Sequence, residues 1–129
     1  MHTLINVYST VTLMPDKKDT THYEVCVEYC EYLRSLGYDC YIINASPTPD
    51  IVAIGNGEVL LVEVKVVKSV KNVVHVPTKQ LEFLRRLRDS LRKVTNCRAV
   101  IVFYVVDDGE FHEINVDYFE EGEPLDLLV

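Results

Sequence analysis

No apolar run in this chain approaches the roughly 18–20 residues that a helix needs to span a bilayer, so the sequence offers no membrane segment. The opening stretch, MHTLINVYSTVTLMPDKKD, lacks a basic region followed by a long apolar one. That absence argues against a secretory leader, and the expectation is a soluble, intracellular (cytoplasmic) protein. Repeats, low-complexity tracts and linker-like stretches are missing too. Residues 1–129 are therefore read as a single domain, long enough to bury a core. Cysteine is sparse, with only Cys26, Cys30, Cys40 and Cys97. There is no C-x2-C pair, and the spacing suits neither a zinc site nor an iron–sulfur cluster. Cys26 and Cys30 fall on one helix face, and Cys40 and Cys97 sit in apolar runs. All four are expected to be buried and reduced, behaving as small hydrophobes. A disulfide is the alternative for a hyperthermophile source.

Positive charge is also scarce, 13 Lys and Arg against 20 Asp and Glu for a net charge of −7. Taken alone, that balance argues against a nucleic-acid partner. Its distribution reverses the argument. Between Lys65 and Lys93 lie nine basic residues and only Glu82 and Asp89 on the acidic side, while the rest of the chain holds four basic and eighteen acidic residues. A polyanion responds to the local field, which a concentrated basic stretch supplies even within an acidic protein. The plainer reading of the same stretch is a solvated helix face.

Apolar patterning gives the order β-α-β-β-β-α-β-β. Residues 3–13 alternate as a strand. Thr21-His22-Tyr23-Glu24 has the form of a capping box, starting a helix that runs to about Leu36 and stops at Gly37. DCYIIN (39–44) is a short strand. DIVAIG and EVLLVEVKVV follow, separated by Asn56-Gly57, the strongest short hairpin signal because both residues tolerate the positive φ of a type I′ turn. Residues 67–76 read as a basic loop. Pro77 suits the first turn of a second helix, reaching roughly to Val94 with Leu81, Leu84, Leu87 and Leu91 as its apolar stripe. RAVIVFYVV (98–106) is a buried strand, and Asp108-Gly109 turns it into FHEINV. An acidic tail closes the chain. Alternating helices and strands predict an α/β sheet with helices on both faces. Tyr8 and Tyr104 are read as packing residues.

The hairpin fixes a register. If Asn56 and Gly57 are the two turn residues, paired positions sum to 113 and Asp50 lies opposite Glu63. Directly opposed residues have Cβ atoms about 4.5–5.5 Å apart. Lys65, two positions on, emerges on the same face, with Val52, Ile54, Val59 and Leu61. Ile51, Ala53, Leu60, Val62, Val64 and Val66 cover the other face. Two opposed carboxylates between apolar neighbours repel and resist burial. A divalent cation between them removes both costs, and hard oxygen ligands of this kind suit Mg²⁺ or Mn²⁺. Such an ion lowers the pKa of bound water and draws charge from a phosphate, with Lys65 placed to orient the water or neutralise phosphate oxygens. The competing reading makes Asp50 a strand start and Glu63–Lys65 a surface ion pair.

Pro49-Asp50, twelve residues, then Glu63-Val64-Lys65 resemble the PD-(D/E)xK motif of restriction-endonuclease-like nucleases. More narrowly, PDIVAIGNGEVLLVEVKVVK is similar to the matching segment of archaeal Holliday junction resolvases, as is EFLRRL (82–87), and the likeness spans roughly residues 22–106. The resemblance implies a mixed sheet flanked by helices (core αβββαβ, here with an extra N-terminal strand) and a Mg²⁺- or Mn²⁺-dependent endonuclease. It implies that Asp50 and Glu63 bind the metal and Lys65 assists catalysis. It also places a glutamate of the first helix near the metal. Glu24 is the first choice and Glu28, one turn later, the rival, while Glu24 as a capping residue alone is the plainer reading. Gln80, at the start of the basic helix, matches a position near the metal or the scissile phosphate in related nucleases. Ser46 matches a serine of a mobile loop near the junction. Lys68, Lys71, Lys79, Arg85 and Arg86 are the candidate DNA contacts. His75 in the basic loop and His22 before Glu24 are lesser candidates.

The resemblance further implies a homodimer acting on branched DNA, a symmetric pair of sites facing two symmetric strands, with no membrane and no small-molecule cofactor. The chain departs from the resolvases in its N-terminal extension (residues 1–20), in lacking an arginine just ahead of Ser46, and in its acidic end (117–129). From Asp107 onward there are nine acidic residues and no basic ones. Other readings are a nuclease for ordinary duplex or single-stranded DNA, a metal-dependent ribonuclease, and a non-catalytic module that binds DNA or a protein partner.

Overall fold

Thr21 starts the first helix as expected. Its hydroxyl accepts the amide N–H of Glu24 at 3.1 Å and lies 3.1 Å from the Glu24 carboxylate, a cap of the kind that stabilises a helix by about 1 kcal/mol. Helix α1 then spans His22–Ser35 and gives way at Gly37, whose φ of +99° suits a residue without a Cβ. The computed structural model describes residues 2–3, 21–43, 45, 47–68, 73–118 and 125–128, with the backbone alone at 2–3, 73–75 and 125–128.

After α1 come β2 (Asp39–Ile42), β3 (Ile51–Gly55) and β4 (Glu58–Val67). Asn56 and Gly57 join β3 to β4 with φ of +52° and +76°, the turn that the Asn-Gly pair predicts. The observed pairs run from Ile51↔Val62 to Gly55↔Glu58 and keep the expected sum of 113. Gly55 is also required, because a Cβ there would lie 2.6 Å from the Gly37 carbonyl oxygen. Helix α2 (Thr78–Leu91) leads into β6 (Asn96–Val105), and β7 (Glu110–Asn115) returns beside it. With β1 (His2–Thr3), these form a six-stranded mixed sheet in the order β1-β7-β6-β4-β3-β2, in which β4 and β6 are parallel and the other neighbours antiparallel.

The central pair β4–β6 is covered on both faces, as its near-continuous apolar runs demand. On one side Val25, Tyr29 and Leu33 of α1 pack on Ile51, Ala53, Val62, Val64 and Val102. On the other, Leu81 and Leu84 of α2 pack on Leu61, Ala99, Ile101 and Phe103. The alternation expected from the hairpin therefore holds, and the α/β sheet flanked by helices is the observed fold class. Tyr104 is a packing residue, its ring 5.0 Å from that of Phe111.

Several elements differ from expectation. The 67–76 stretch is not all loop: Val73–Val76 forms β5, paired antiparallel with β8 (Leu125–Leu128). The acidic end thus contributes a strand, and a short 3₁₀ turn covers Val116–Tyr118. Pro77 precedes α2 with ψ of +135° instead of opening its first turn, and the helix ends at Leu91 before reaching Val94. Cys30 and Cys40 form a disulfide that joins α1 to β2, so two of the four cysteines are not reduced. Their Cα atoms stand 5.6 Å apart because Gly37 turns β2 back along the helix. Cys26 and Cys97 are buried and free, as expected. Of the strand expected at 3–13 only Thr3 is described, and Tyr8 and residues 119–124 lie outside the described residues.

Candidate active site

The hairpin register carries Asp50 to the mouth of β3, one step beyond the Ile51↔Val62 pair. Asp50 Oδ2 accepts the amide N–H of Val64 at 2.8 Å. The same oxygen lies 3.1 Å from Nε2 of His22, at the first turn of α1. That nitrogen is also 3.1 Å from the Val64 carbonyl oxygen. Both neighbours are acceptors, so this arrangement assigns the imidazole proton to Nε2. Asp50 is thereby held from two directions, by the strand beside it and by the helix above.

Glu63 lies in β4 and is 4% exposed. Burial raises its carboxyl pKa above the ordinary range, and the neighbouring Asp50 raises it further, with Lys65 opposing. The Lys65 ammonium stands 3.6 Å from Glu63 Oε2 and donates to Gln80 Oε1 at 2.7 Å. Gln80 comes from the first turn of α2, so the helix on this face fixes where the lysine points. Lys65 pairs with Phe103 and Glu63 with Ile101, members of the face that α2 covers. Strand geometry thus places the two ionic side chains on one face, and the half-buried Gln80 orients one of them.

The donors gathered here are the carboxylates of Asp50 and Glu63 and the Val64 carbonyl, with the His22 imidazole orienting Asp50. Hard oxygens of this kind suit a small divalent cation such as Mg²⁺ or Mn²⁺. The destabilised Glu63 anion is what such an ion would relieve. Cys26 is close, its sulfur 3.9 Å from His22 Nε2. Burial and the charges of Asp50 and Glu63 push its thiol up to about 12, and His22, Cys26 and Asp50 bring their ligand atoms within 4.8 Å of one another.

No family model matches the chain, and no curated protein matches it. Solved structures do. The chain is similar to the 1.6 Å structure of Archaeoglobus fulgidus Hjc, a Holliday junction resolvase from an archaeal hyperthermophile, with a TM-score of 0.64 over 78% of each chain and 19% sequence identity. The two share the restriction-endonuclease-like fold. The mixed sheet with a helix on each face is common ground, and the resemblance read from the PD-(D/E)xK pattern points to the same architecture.

The sequence-derived candidates divide by position. Asp50, Glu63, Lys65 and Gln80 come together. Glu24 is exposed and occupied with Thr21 at the helix cap. Glu28 is 4% exposed on the buried side of α1, where burial and the charges of Glu31 and Glu24 push its carboxyl up to about 7. The helix side chain that reaches Asp50 is His22, which the sequence reading gave only a minor part. Its signal was weak: a histidine at the first helical position is an ordinary residue until the sheet beneath it is known.

Lys68, Lys79 and Arg86 are exposed, whereas Arg85 is 5% exposed and takes part in the core side of α2. Arg85 stands four residues after Leu81 and next to Leu84, on the apolar stripe, while Arg86 lies 100° further round on the open side. Arg88 and Arg92 both bind Asp117, and Arg88 also pairs with Asp89, so two cations of the basic stretch are engaged internally. Ser46 and Lys71 lie outside the described residues, as does the side chain of His75. No helix among the described residues is long and apolar enough to cross a membrane.

Proposed function

We propose that this protein is a divalent-metal-dependent endonuclease that hydrolyses phosphodiester bonds in branched DNA, acting as a homodimer in the manner of a junction resolvase. The observation that carries the reading is the convergence of Asp50, Glu63 and Lys65 on one edge of the β3–β4 hairpin, within a fold shared with a Holliday junction resolvase.

In this reading Asp50, Glu63 and the Val64 carbonyl would hold Mg²⁺ or Mn²⁺. When bound, the ion lowers the pKa of a coordinated water and draws charge from the phosphate. The protein's own groups supply the rest. Val64 N–H and His22 keep the Asp50 carboxylate from turning away. Gln80 holds the Lys65 ammonium, which lies where it neutralises the non-bridging oxygens of the reacting phosphate. Exposed Lys68, Lys79 and Arg86 then meet the flanking backbone phosphates, whose binding weakens with salt. Ser46 and Lys71 are proposed as further contacts with the strand.

Cleavage of labelled four-way junction and plain duplex DNA, with Mg²⁺, Mn²⁺ or EDTA, tests the reading in wild type and in Asp50→Ala. Metal-dependent symmetric nicking of the junction, lost in the variant, is the expected result. Equal cutting of plain duplex would keep the nuclease and remove the junction preference. Junction binding without any cutting would replace the enzyme by a DNA-binding module.

A further inference from the structure

The turn between β6 and β7 brings together three side chains that the nuclease reading does not use. His112 Nε2 lies 3.8 Å from Asp108 Oδ2 and 3.8 Å from Glu110 Oε2. All three ligand atoms fall within 4.8 Å of one another. The His112 nitrogen is buried and has no hydrogen-bond partner among the described residues. A buried polar atom left in that state costs about 1–3 kcal/mol. At 3.8 Å the carboxylates are too far to relieve it by hydrogen bonding, yet suitably spaced to share a cation bound at about 2.0–2.2 Å from each ligand.

The local backbone already holds this shape. Asp108 Oδ1 accepts the Glu110 amide N–H at 2.8 Å, and Gly109, with φ of +69°, lets the chain reverse between them. One oxygen of Asp108 is thus anchored while the other faces the imidazole. Among the described residues no lysine or arginine pairs with Asp108 or Glu110, and the side chain nearest both carboxylates is His112. On these grounds we infer that Asp108, Glu110 and His112 form a second cation site, separate from the Asp50–Glu63 centre, which takes a divalent transition metal. One imidazole and two carboxylates favour Zn²⁺ or Mn²⁺ over Mg²⁺, which prefers oxygen and retains its water.

The position gives the site a consequence. Lys65 pairs with Phe103, and Phe103 pairs with His112. Directly paired residues share a face, so His112 lies on the same face as Lys65, two strands away. Two strand spacings amount to about 10 Å. A dication there would cancel the two carboxylate charges of the hairpin about two strands from Lys65, where they otherwise repel phosphates.

The test uses the full chain carrying Asp50→Asn and Glu63→Gln, which silences the first centre, titrated calorimetrically with Zn²⁺ and Mn²⁺. One equivalent of Zn²⁺ should bind and raise the melting temperature. Adding His112→Ala should weaken binding at least tenfold, and Glu110→Gln, which leaves the imidazole in place, should weaken it as well. Absence of stoichiometric binding in the silenced chain would overturn the proposal, as would equal affinity after either further substitution. If instead the silenced chain binds metal at His112 while wild type cleaves no DNA, the second site stands and the nuclease reading falls.

Discussion

His22 reaches across from α1 to place its Nε2 atom 3.1 Å from Asp50 Oδ2, linking the helix on one face of the sheet to a carboxylate at its edge. Groups that orient metal-binding side chains typically account for about 10–100-fold in metal affinity or activity. His22→Ala should therefore lower Mn²⁺ affinity and cleavage within that range and leave the circular dichroism spectrum unchanged. An unchanged Mn²⁺ titration would remove His22 from the site.

Gln80 is the acceptor that holds Lys65. If it acts by positioning, Gln80→Ala should reduce kcat by about tenfold, roughly 1.4 kcal/mol of barrier, with little change in KM. Lys65→Ala should cost about 10²–10⁴-fold in kcat, the range of a positioned catalytic group. Single-turnover cleavage separates the two, since a pure binding role for either residue would appear in KM.

Glu28 gives a stability prediction with a definite sign. Burial pushes its folded-state pKa up to about 7, above the ordinary carboxyl value of 4.5. The folded state therefore binds the proton more tightly than the unfolded state does. Its contribution is most favourable below the unfolded value and is lost as pH rises toward and through about 7. Glu28→Gln should raise the melting temperature at pH 8 and change it little at pH 4. A shift equal at both pH values would assign the effect to packing instead of charge.

The Cys30–Cys40 bridge closes a loop of ten-residue separation between helix and strand. Reducing it should destabilise the fold by about 2–4 kcal/mol, chiefly by freeing the unfolded chain. Urea titration with and without a reductant, compared with Cys30→Ser, measures this. Equal midpoints would show that the bridge adds nothing to the packing of α1 on β2.

Gly55 tests the close approach of two backbone segments. A Cβ there meets Gly37 O at 2.6 Å and Tyr38 Cα at 2.9 Å. Neither backbone atom can swing aside as a side chain would. Gly55→Ala should cost about 1–3 kcal/mol, as overpacking does, seen as a lower urea midpoint. Gly57→Ala meets no neighbour within 4 Å, and its cost should come from the positive φ alone.

What the sequence made legible was local. Asn56-Gly57 set the register of β3 and β4, and Thr21 with Gly37 bounded α1, because turns and caps depend on a few adjacent residues. Distant partnerships were not legible in this way. Val73–Val76 pairs with Leu125–Leu128 across fifty residues, and nothing in a basic stretch announces a strand whose partner lies at the other end of the chain. The Cys30–Cys40 bridge was missed for the same reason, since it depends on how β2 returns along α1. Arg85 looked like a DNA contact because its neighbours are basic, but helix phase turned it inward. For the candidate site, Asp50, Glu63 and Lys65 could be named from motif and spacing, and Gln80 from the resemblance to related nucleases. His22 could not, because its importance depends on which helix end hangs over the mouth of β3.

The two-residue turn at Asn56-Gly57 also constrains how this protein can diverge. Side chains alternate along a strand, so sliding β4 past β3 by one position exchanges its inward and outward sets. Glu63 and Lys65 would then point toward α1 while Val62 and Val64 faced α2, and the charged pair would be parted from Gln80. Loops elsewhere can accept added residues at modest entropic cost. A single insertion between Gly55 and Glu58 forces a choice between keeping the hydrophobic layers and keeping the site.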